Sequence, residues 1–205
     1  MPLQAGSILR HRYRIEGVLG QGGMGAVYKA FDINLGVGTA VKENLFTTEE
    51  YARQFRREAT ILASLRHPNL PRVTDHFVIE GEGQYLVMDF IQGVDLRERL
   101  ERDGPIPEEE CLPWFLEISD ALAYLHTRTP PILHRDIKPG NILISDDGER
   151  ANIIDFGIAR LIADDTSDGR VFGTPRYVSP ELLLGRNRDP ASDLFSLGVV
   201  LFVRL

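Results

Sequence analysis

The stretch His134-Arg135-Asp136-Ile137-Lys138-Pro139-Gly140-Asn141 constrains this chain more than any other. It sets an acid, a base and an amide within six residues, flanked by the apolar Ile132, Leu133, Ile142, Leu143 and Ile144. Such a run reads as two short buried strands joined by a polar loop, which Pro139 and Gly140 keep from becoming helix. The polar side chains then project from a rigid apolar base.

The rest of the chain must supply what such a loop acts on. At 205 residues, 43% hydrophobic and 26% charged, there is material for one large domain or two lobes sharing a cleft. The net charge of −7 argues against a nucleic-acid partner, which would need clustered Lys and Arg. Cys111 is the only cysteine, so no disulfide framework is expected, and a reducing, cytoplasmic setting is the simpler reading. The longest apolar run covers positions 194 to 203, against the ~20 residues a membrane span needs, so no membrane contact is expected of this segment. That run lies against Leu205 with no Gly, Pro or cap to stop the helix it suggests.

The first third has the period of antiparallel sheet. Tyr13 to Leu19 begins a strand, Gly20-Gln21-Gly22-Gly23-Met24-Gly25 turns, and Ala26 to Phe31 alternates as a second strand. Glycines without a Cβ let backbone N–H groups approach phosphate oxygens, although a tight turn would have the same sequence. A dinucleotide-binding reading is disfavoured, because there the glycines must open a helix. A third strand, Gly38 to Asn44, carries Lys42. Thr47 and Glu50 form a capping box for a helix whose stripe is Tyr51, Phe55, Glu58, Leu62 and Leu65. Glu58 thus faces inward and needs a cation, for which Lys42 is the candidate, while Arg53, Arg56 and Arg57 lie on other faces. Val73–Ile79 and Gln84–Phe90 complete a five-stranded sheet with one helix.

After a connector at Gln92-Gly93-Val94 the pattern turns helical. Helices are expected at 95–101 and 108–126, the second burying Leu112, Phe115, Ile118, Leu122 and Leu125 and kinked early by Pro113. Ile142–Ile144 and Ala151–Ile154 pair around Asp146-Asp147-Gly148. Asp155, before Phe156-Gly157, then ends a buried strand. With Asp136 and Asn141 it gathers hard oxygen ligands suited to Mg²⁺ (or Mn²⁺) carrying phosphates. Set against the glycine-rich backbone and Lys42, these make a nucleoside triphosphate site between two lobes.

On Gly20-x-Gly22-x-x-Gly25-x-Val27, Ala40-Val41-Lys42, Glu58, His134-Arg135-Asp136 through Asn141, Asp155-Phe156-Gly157 and Ser179-Pro180-Glu181, the chain resembles a protein kinase of the eukaryotic-like Ser/Thr type, the bacterial members most. The resemblance implies an α+β, bilobal fold: an N-lobe over 1–91 with a five-stranded antiparallel sheet and one main helix, and a mainly helical, incomplete C-lobe over 92–205. It implies transfer of the ATP γ-phosphate to protein Ser or Thr hydroxyls in bacterial signalling. Lys42 would hold the α- and β-phosphates and pair with Glu58, Asn141 and Asp155 would bind the metal, Asp136 would accept the hydroxyl proton, and Lys138 would steady the γ-phosphate. Leu19, Gly20, Gly22, Gly25, Val27, Ala40, Met88, Asp89, Ile91 and Leu143 would surround the nucleotide. Lys138 and Gly173 to Tyr177 resemble Ser/Thr rather than tyrosine kinases. Thr166, Ser167 and Thr174 are the implied regulatory phosphosites, with Arg135 placed to clamp a phosphate. Asp193 would brace the backbone at His134 and Arg135. The chain stops short of later family helices, leaving Glu181 without its family partner, so the activity of this piece alone is open and an ATP-binding pseudokinase or scaffold is the alternative. A small-molecule kinase fits Gly173 to Glu181 less well. A membrane anchor downstream and a homodimer for autophosphorylation are partners that the resemblance allows.

Overall fold

The computed structural model describes residues 3–22, 25–45, 49–155, 160–161, 174–184 and 189–202, without the side chains of 49–52, 54, 58, 160 and 161. The chain splits into two compact units, one of residues 1–66 and 71–90, the other of 67–70 and 91–205. Thr47 of the expected capping box lies outside the described residues.

Unit one is a six-stranded antiparallel sheet with one helix. Its strands are β1 (Ile8–Leu9), β2 (Tyr13–Gly22), β3 (Gly25–Asp32), β4 (Val37–Asn44), β5 (Val73–Ile79) and β6 (Gly83–Asp89), in the order β1-β2-β3-β4-β6-β5. Helix α1 spans Glu49–Ser64. The five expected strands all form, and the two-residue β1 joins at the edge through Ile8↔Arg14 and Leu9↔Tyr13. Strict alternation separates the faces of the sheet. Tyr13, Ile15, Ala26, Tyr28, Ala30, Val41, Phe77, Tyr85 and Val87 form a buried cluster, with Leu3 packed on it. Residues directly opposite across strands share a face. The pairs Val27↔Lys42 and Ala40↔Met88 therefore put these four side chains on the other face. In α1 the apolar stripe emerges as Phe55, Ala59 and Leu62, with Leu65 buried just beyond, while Arg53, Arg56 and Arg57 are exposed.

Unit two contains β7 (Gly93–Asp95), α2 (Leu96–Asp103), α3 (Glu108–His126), β8 (Ile132–Leu133), a 3-10 turn at Pro139–Asn141, β9 (Ile142–Ser145), β10 (Ala151–Ile153), β11 (Arg160–Leu161), α4 (Pro180–Leu183) and α5 (Pro190–Phe202). Three expectations change here. The expected connector is strand β7, which pairs with β9 through Val94↔Ile144 and Asp95↔Leu143. A three-residue strand is too short to show a period. Its glycine is required by space, since a Cβ on Gly93 would lie 2.1 Å from the Ile144 carbonyl oxygen. In α3, Leu112 is 43% exposed and Cys111 and Trp114 take its place inside. The polar loop also holds one helical turn after all, because Pro139 opens it, where no N–H is needed.

Residues 67–70 are built into unit two by Asn69. Its Nδ2 donates to Glu117 Oε2 (3.1 Å) and to the Ala151 carbonyl (2.8 Å), and its carbonyl accepts from Ile153 N (2.9 Å). His67 adds a 3.1 Å contact to Asp120 and packs on Tyr124. Among the described residues no helix is long and apolar enough to cross a membrane.

The glycine-rich hairpin yields a test. Gly25 has φ +146°, and a Cβ there would lie 2.0 Å from the Glu43 carbonyl oxygen, whereas nothing stands within 4 Å of a Cβ on Gly20. Gly25→Ala should therefore lower stability by about 1–3 kcal/mol, and Gly20→Ala by no more than ~0.5 kcal/mol. Urea unfolding of the two variants checks this; equal losses would contradict it.

Candidate active site

The loop from His134 to Asn141 stands on an apolar base, with Ile132, Leu133, Ile137 and Ile142 all buried. Its backbone is held from below by Asp193, in the first turn of α5. The amides of His134 and Arg135 donate to the two Asp193 carboxylate oxygens at 2.9 and 2.8 Å, and His126 Nε2 lies 2.9 Å away. Burial would raise the Asp193 pKa, but His126 and these donors outweigh it and hold the carboxylate below its ordinary range. Arg135 adopts φ +70°, an unusual conformation for a residue with a side chain. His134 is fully buried, which pushes its pKa down; the neutral ring donates from Nε2 to the Ile154 carbonyl at 3.3 Å. Its part is structural.

That support fixes Asp136. One carboxylate oxygen accepts from Lys138 Nζ (2.6 Å) and Asn141 Nδ2 (3.0 Å), the other from Thr174 Oγ1 (2.9 Å). Lys138 Nζ also reaches Thr174 Oγ1 at 3.2 Å. Asp136, Lys138 and Thr174 thus form a closed triangle of a carboxylate, a cation and a hydroxyl. The chain order hid this, because Thr174 lies 38 positions from Asp136. Thr174 is also an expected site of regulatory phosphorylation. A phosphate there would replace the hydroxyl donor with acceptor oxygens set against a carboxylate, so the geometry fits an anchoring residue.

For a metal, the donor set is suitable. Asn141 spends its Nδ2 on the Asp136 carbonyl (2.8 Å) and carboxylate, which leaves Oδ1, a hard oxygen. The Ile154 amide donates to the Asn141 carbonyl (2.9 Å), bringing the start of Asp155 to the same turn. Asp155 is exposed, with φ +60°. Among the described residues no three His, Cys, Asp or Glu side chains converge. The metal expectation therefore rests on Asn141 and Asp155, in keeping with Mg²⁺, which takes one or two protein ligands and completes its shell with water and phosphates.

In unit one, Val27, Ala40, Lys42 and Met88 line one face of the sheet, half-buried except for the buried Ala40. Around Gly20 and Gly22 the backbone is bare, which suits close approach by an anionic ligand. Leu19 is exposed. Asp89 is tied to Arg72 through that residue's N–H and Nε, at 3.2 and 3.1 Å. In unit two, Ile91 and Leu143 are half-buried. The side chain of Glu58, and Thr166 and Ser167, lie outside the described residues. Sequence reasoning did not single out His126, whose only local signal is a basic residue in the last turn of α3.

The Asp193 brace can be tested by pH. Its folded-state pKa is below the unfolded value of about 3.9, so its stabilisation is present above that pH and lost as pH falls through the folded value. Asp193→Asn puts an amide donor against donors and should cost about 2–4 kcal/mol at pH 7. The difference from the unaltered chain should shrink in acid. Urea melts from pH 7 to 3 measure it, and a pH-independent difference would contradict the assignment.

Comparison with known proteins places this geometry. Serine/threonine-protein kinase pkn2 of Myxococcus xanthus is 39% identical over 205 residues, covering 95% of this chain and 24% of that protein. Serine/threonine-protein kinase PknA of Mycobacterium tuberculosis is 40% identical over 209 residues, covering 98% and 48%. Serine/threonine-protein kinase PknB of Mycobacterium leprae is 39% identical over 203 residues, covering 95% and 32%. The chain thus spans between about a quarter and a half of the length of these relatives. Residues 13–205, beginning at the strand that opens the glycine-rich hairpin, match the protein kinase domain family, and the chain belongs to that family.

Proposed function

We propose that this chain transfers the γ-phosphoryl group of ATP to serine or threonine hydroxyls of proteins. The observation that carries the reading is the Asp136 carboxylate, held at once by Lys138, Asn141 and Thr174 on a braced loop. Relatives whose names say serine/threonine-protein kinase support the choice of hydroxyl.

Each residue has a defined task. Asp136 accepts a hydrogen bond from the substrate hydroxyl and takes its proton as the oxygen attacks the γ-phosphorus. The bond to the β-phosphate oxygen breaks and ADP leaves with its electrons. Positioning and charge neutralisation supply most of the acceleration, so a base of ordinary strength suffices if it is well placed. Lys138 carries positive charge to the transferring phosphoryl oxygens. Lys42, with Glu58 as its partner, holds the α- and β-phosphates over the bare backbone of Gly20 and Gly22. Val27, Ala40 and Met88, with Leu19 and Asp89, are the nucleotide-facing residues of unit one, and Ile91 and Leu143 are those of unit two. Asn141 and Asp155 hold Mg²⁺, or Mn²⁺, which when bound neutralises charge on the phosphates.

The proposal includes regulation and setting. A phosphate on Thr166 or Ser167 would add roughly −1.5 to −2 charges for Arg135 to hold. A cytoplasmic site of action rests on the resemblance to bacterial kinases. A homodimer for autophosphorylation and a membrane anchor elsewhere in the protein rest on the resemblance alone.

Asp136→Asn should retain ATP binding and lose about 10²- to 10⁴-fold in transfer, read with radiolabelled ATP and a generic protein acceptor. Normal turnover in this variant would remove the assignment. Thr174→Val should cost roughly tenfold, one good hydrogen bond; an unchanged rate would remove Thr174 from the site. After incubation with ATP, mass spectrometry should find phosphate on Thr166 or Ser167. An active preparation lacking it on both would contradict the regulatory part.

A further inference from the structure

We infer that the phosphoacceptor site favours serine and threonine flanked by acidic residues, read by Arg97 and Arg176. This rests on the transferase reading above and names the substrate chemistry of that site.

The first observation concerns Gly140, beside Asn141 in the 3-10 turn. No positive φ requires glycine there, and a Cβ would meet only the guanidinium of Arg97, with Cζ at 3.8 Å, Nε at 3.9 Å and Nη1 at 4.0 Å. The Arg97 guanidinium thus lies at ordinary contact distance from where a Cβ on residue 140 would stand. Asn141, the next residue, touches the Asp136 carboxylate. The Arg97 side chain is 64% exposed, and among the described residues it pairs with Asp95 Oδ2 at 3.3 Å. Asp95 has a second task, since its Oδ1 caps α2 by accepting from Glu98 N. Such an exposed contact contributes little, so Arg97 can exchange it for a substrate carboxylate at small cost.

The second observation lies across the same carboxylate. Thr174 touches Asp136 and opens a turn closed by Tyr177 N to the Thr174 carbonyl at 2.8 Å. Ser196 Oγ holds that turn by donating to the Tyr177 carbonyl at 2.7 Å. Arg176 sits within it, exposed. Two guanidinium groups are therefore carried beside Asp136, Arg97 against the Pro139–Asn141 turn and Arg176 in the turn that Thr174 opens. Guanidinium matches carboxylate geometry in a way that a point charge does not. The net charge of −7 would by itself draw basic peptides, so local geometry and overall field make opposite predictions.

The experiment uses three peptides that differ only in the residues flanking one serine: Glu, Ala or Arg. The expected kcat/KM for the Glu-flanked peptide exceeds that for the Arg-flanked peptide at least tenfold, mainly through KM, and the ratio falls as salt is raised. Arg97→Glu and Arg176→Glu should each shift the ratio about tenfold towards the Arg-flanked peptide. Binding of the same peptides to the Asp136→Asn chain, read by fluorescence anisotropy, gives an independent measure. Equal or Arg-favouring rates and affinities overturn the inference, as does a preference untouched in both arginine variants. Acid-selective binding without transfer to any peptide would uphold the selection and overturn the transferase reading.

Discussion

The Asp193 carboxylate, closed off from solvent beneath the loop from His134 to Asn141, is the constraint on which that loop depends. A buried charge is tolerated only when hydrogen bonds replace the water it has lost. Asp193 obtains them from the amides of His134 and Arg135 and from His126, so α3, the loop and α5 meet at one group. The first turn of α5 suits an anion, since the unpaired amides there carry partial positive charge. Asp189 caps the same turn by accepting from the Ala191 amide at 2.7 Å. The positive φ of Arg135 costs energy that this brace offsets, and the turn it produces sends Asp136 towards Lys138 and Thr174.

The distances over which these contacts act decide how much of them a sequence can show. Lys138 and Asn141 lie two and five positions from Asp136, and their association could be read from the loop itself. Asp193 lies 59 positions from His134, and only the resemblance to a family suggested it. The contact of Thr174 with Asp136 spans 38 positions, and no local pattern shows that a threonine so far along the chain will donate to that carboxylate.

The fold was legible where periods are long. The 16 residues of α1 and the 19 of α3 run through several turns, and β3, paired beside Lys42, alternates cleanly. Strands β1 and β7 have two and three residues, too few to express a period. The error at Leu112 has a different origin. Hydropathy favoured leucine over cysteine, but the helical phase did not: Cys111 lies two full turns before Ile118, whereas Leu112 is rotated about 120° from it. Phase outranks hydropathy once one buried residue of a helix is known.

Neighbouring charges on β4 show how firmly that strand is set. Lys42 and Glu43 point to opposite faces, as consecutive strand residues must. Glu43 is 5% exposed and accepts from the hydroxyls of Tyr28 (2.7 Å) and Tyr85 (3.2 Å). Tyr28 also accepts from the Leu3 amide at 3.0 Å, and burial pushes its phenol up to about 12. A carboxylate buried among tyrosine hydroxyls is a poor source of stability. It is a strong specifier of register. A slip of one residue would drive the Lys42 ammonium into the cluster of Tyr13, Tyr28 and Tyr85 and strip Glu43 of both donors. The hydrogen bonds of Glu43 on one face thus determine where Lys42 stands on the other, and the placement of that lysine follows from the packing on the far side of its own strand.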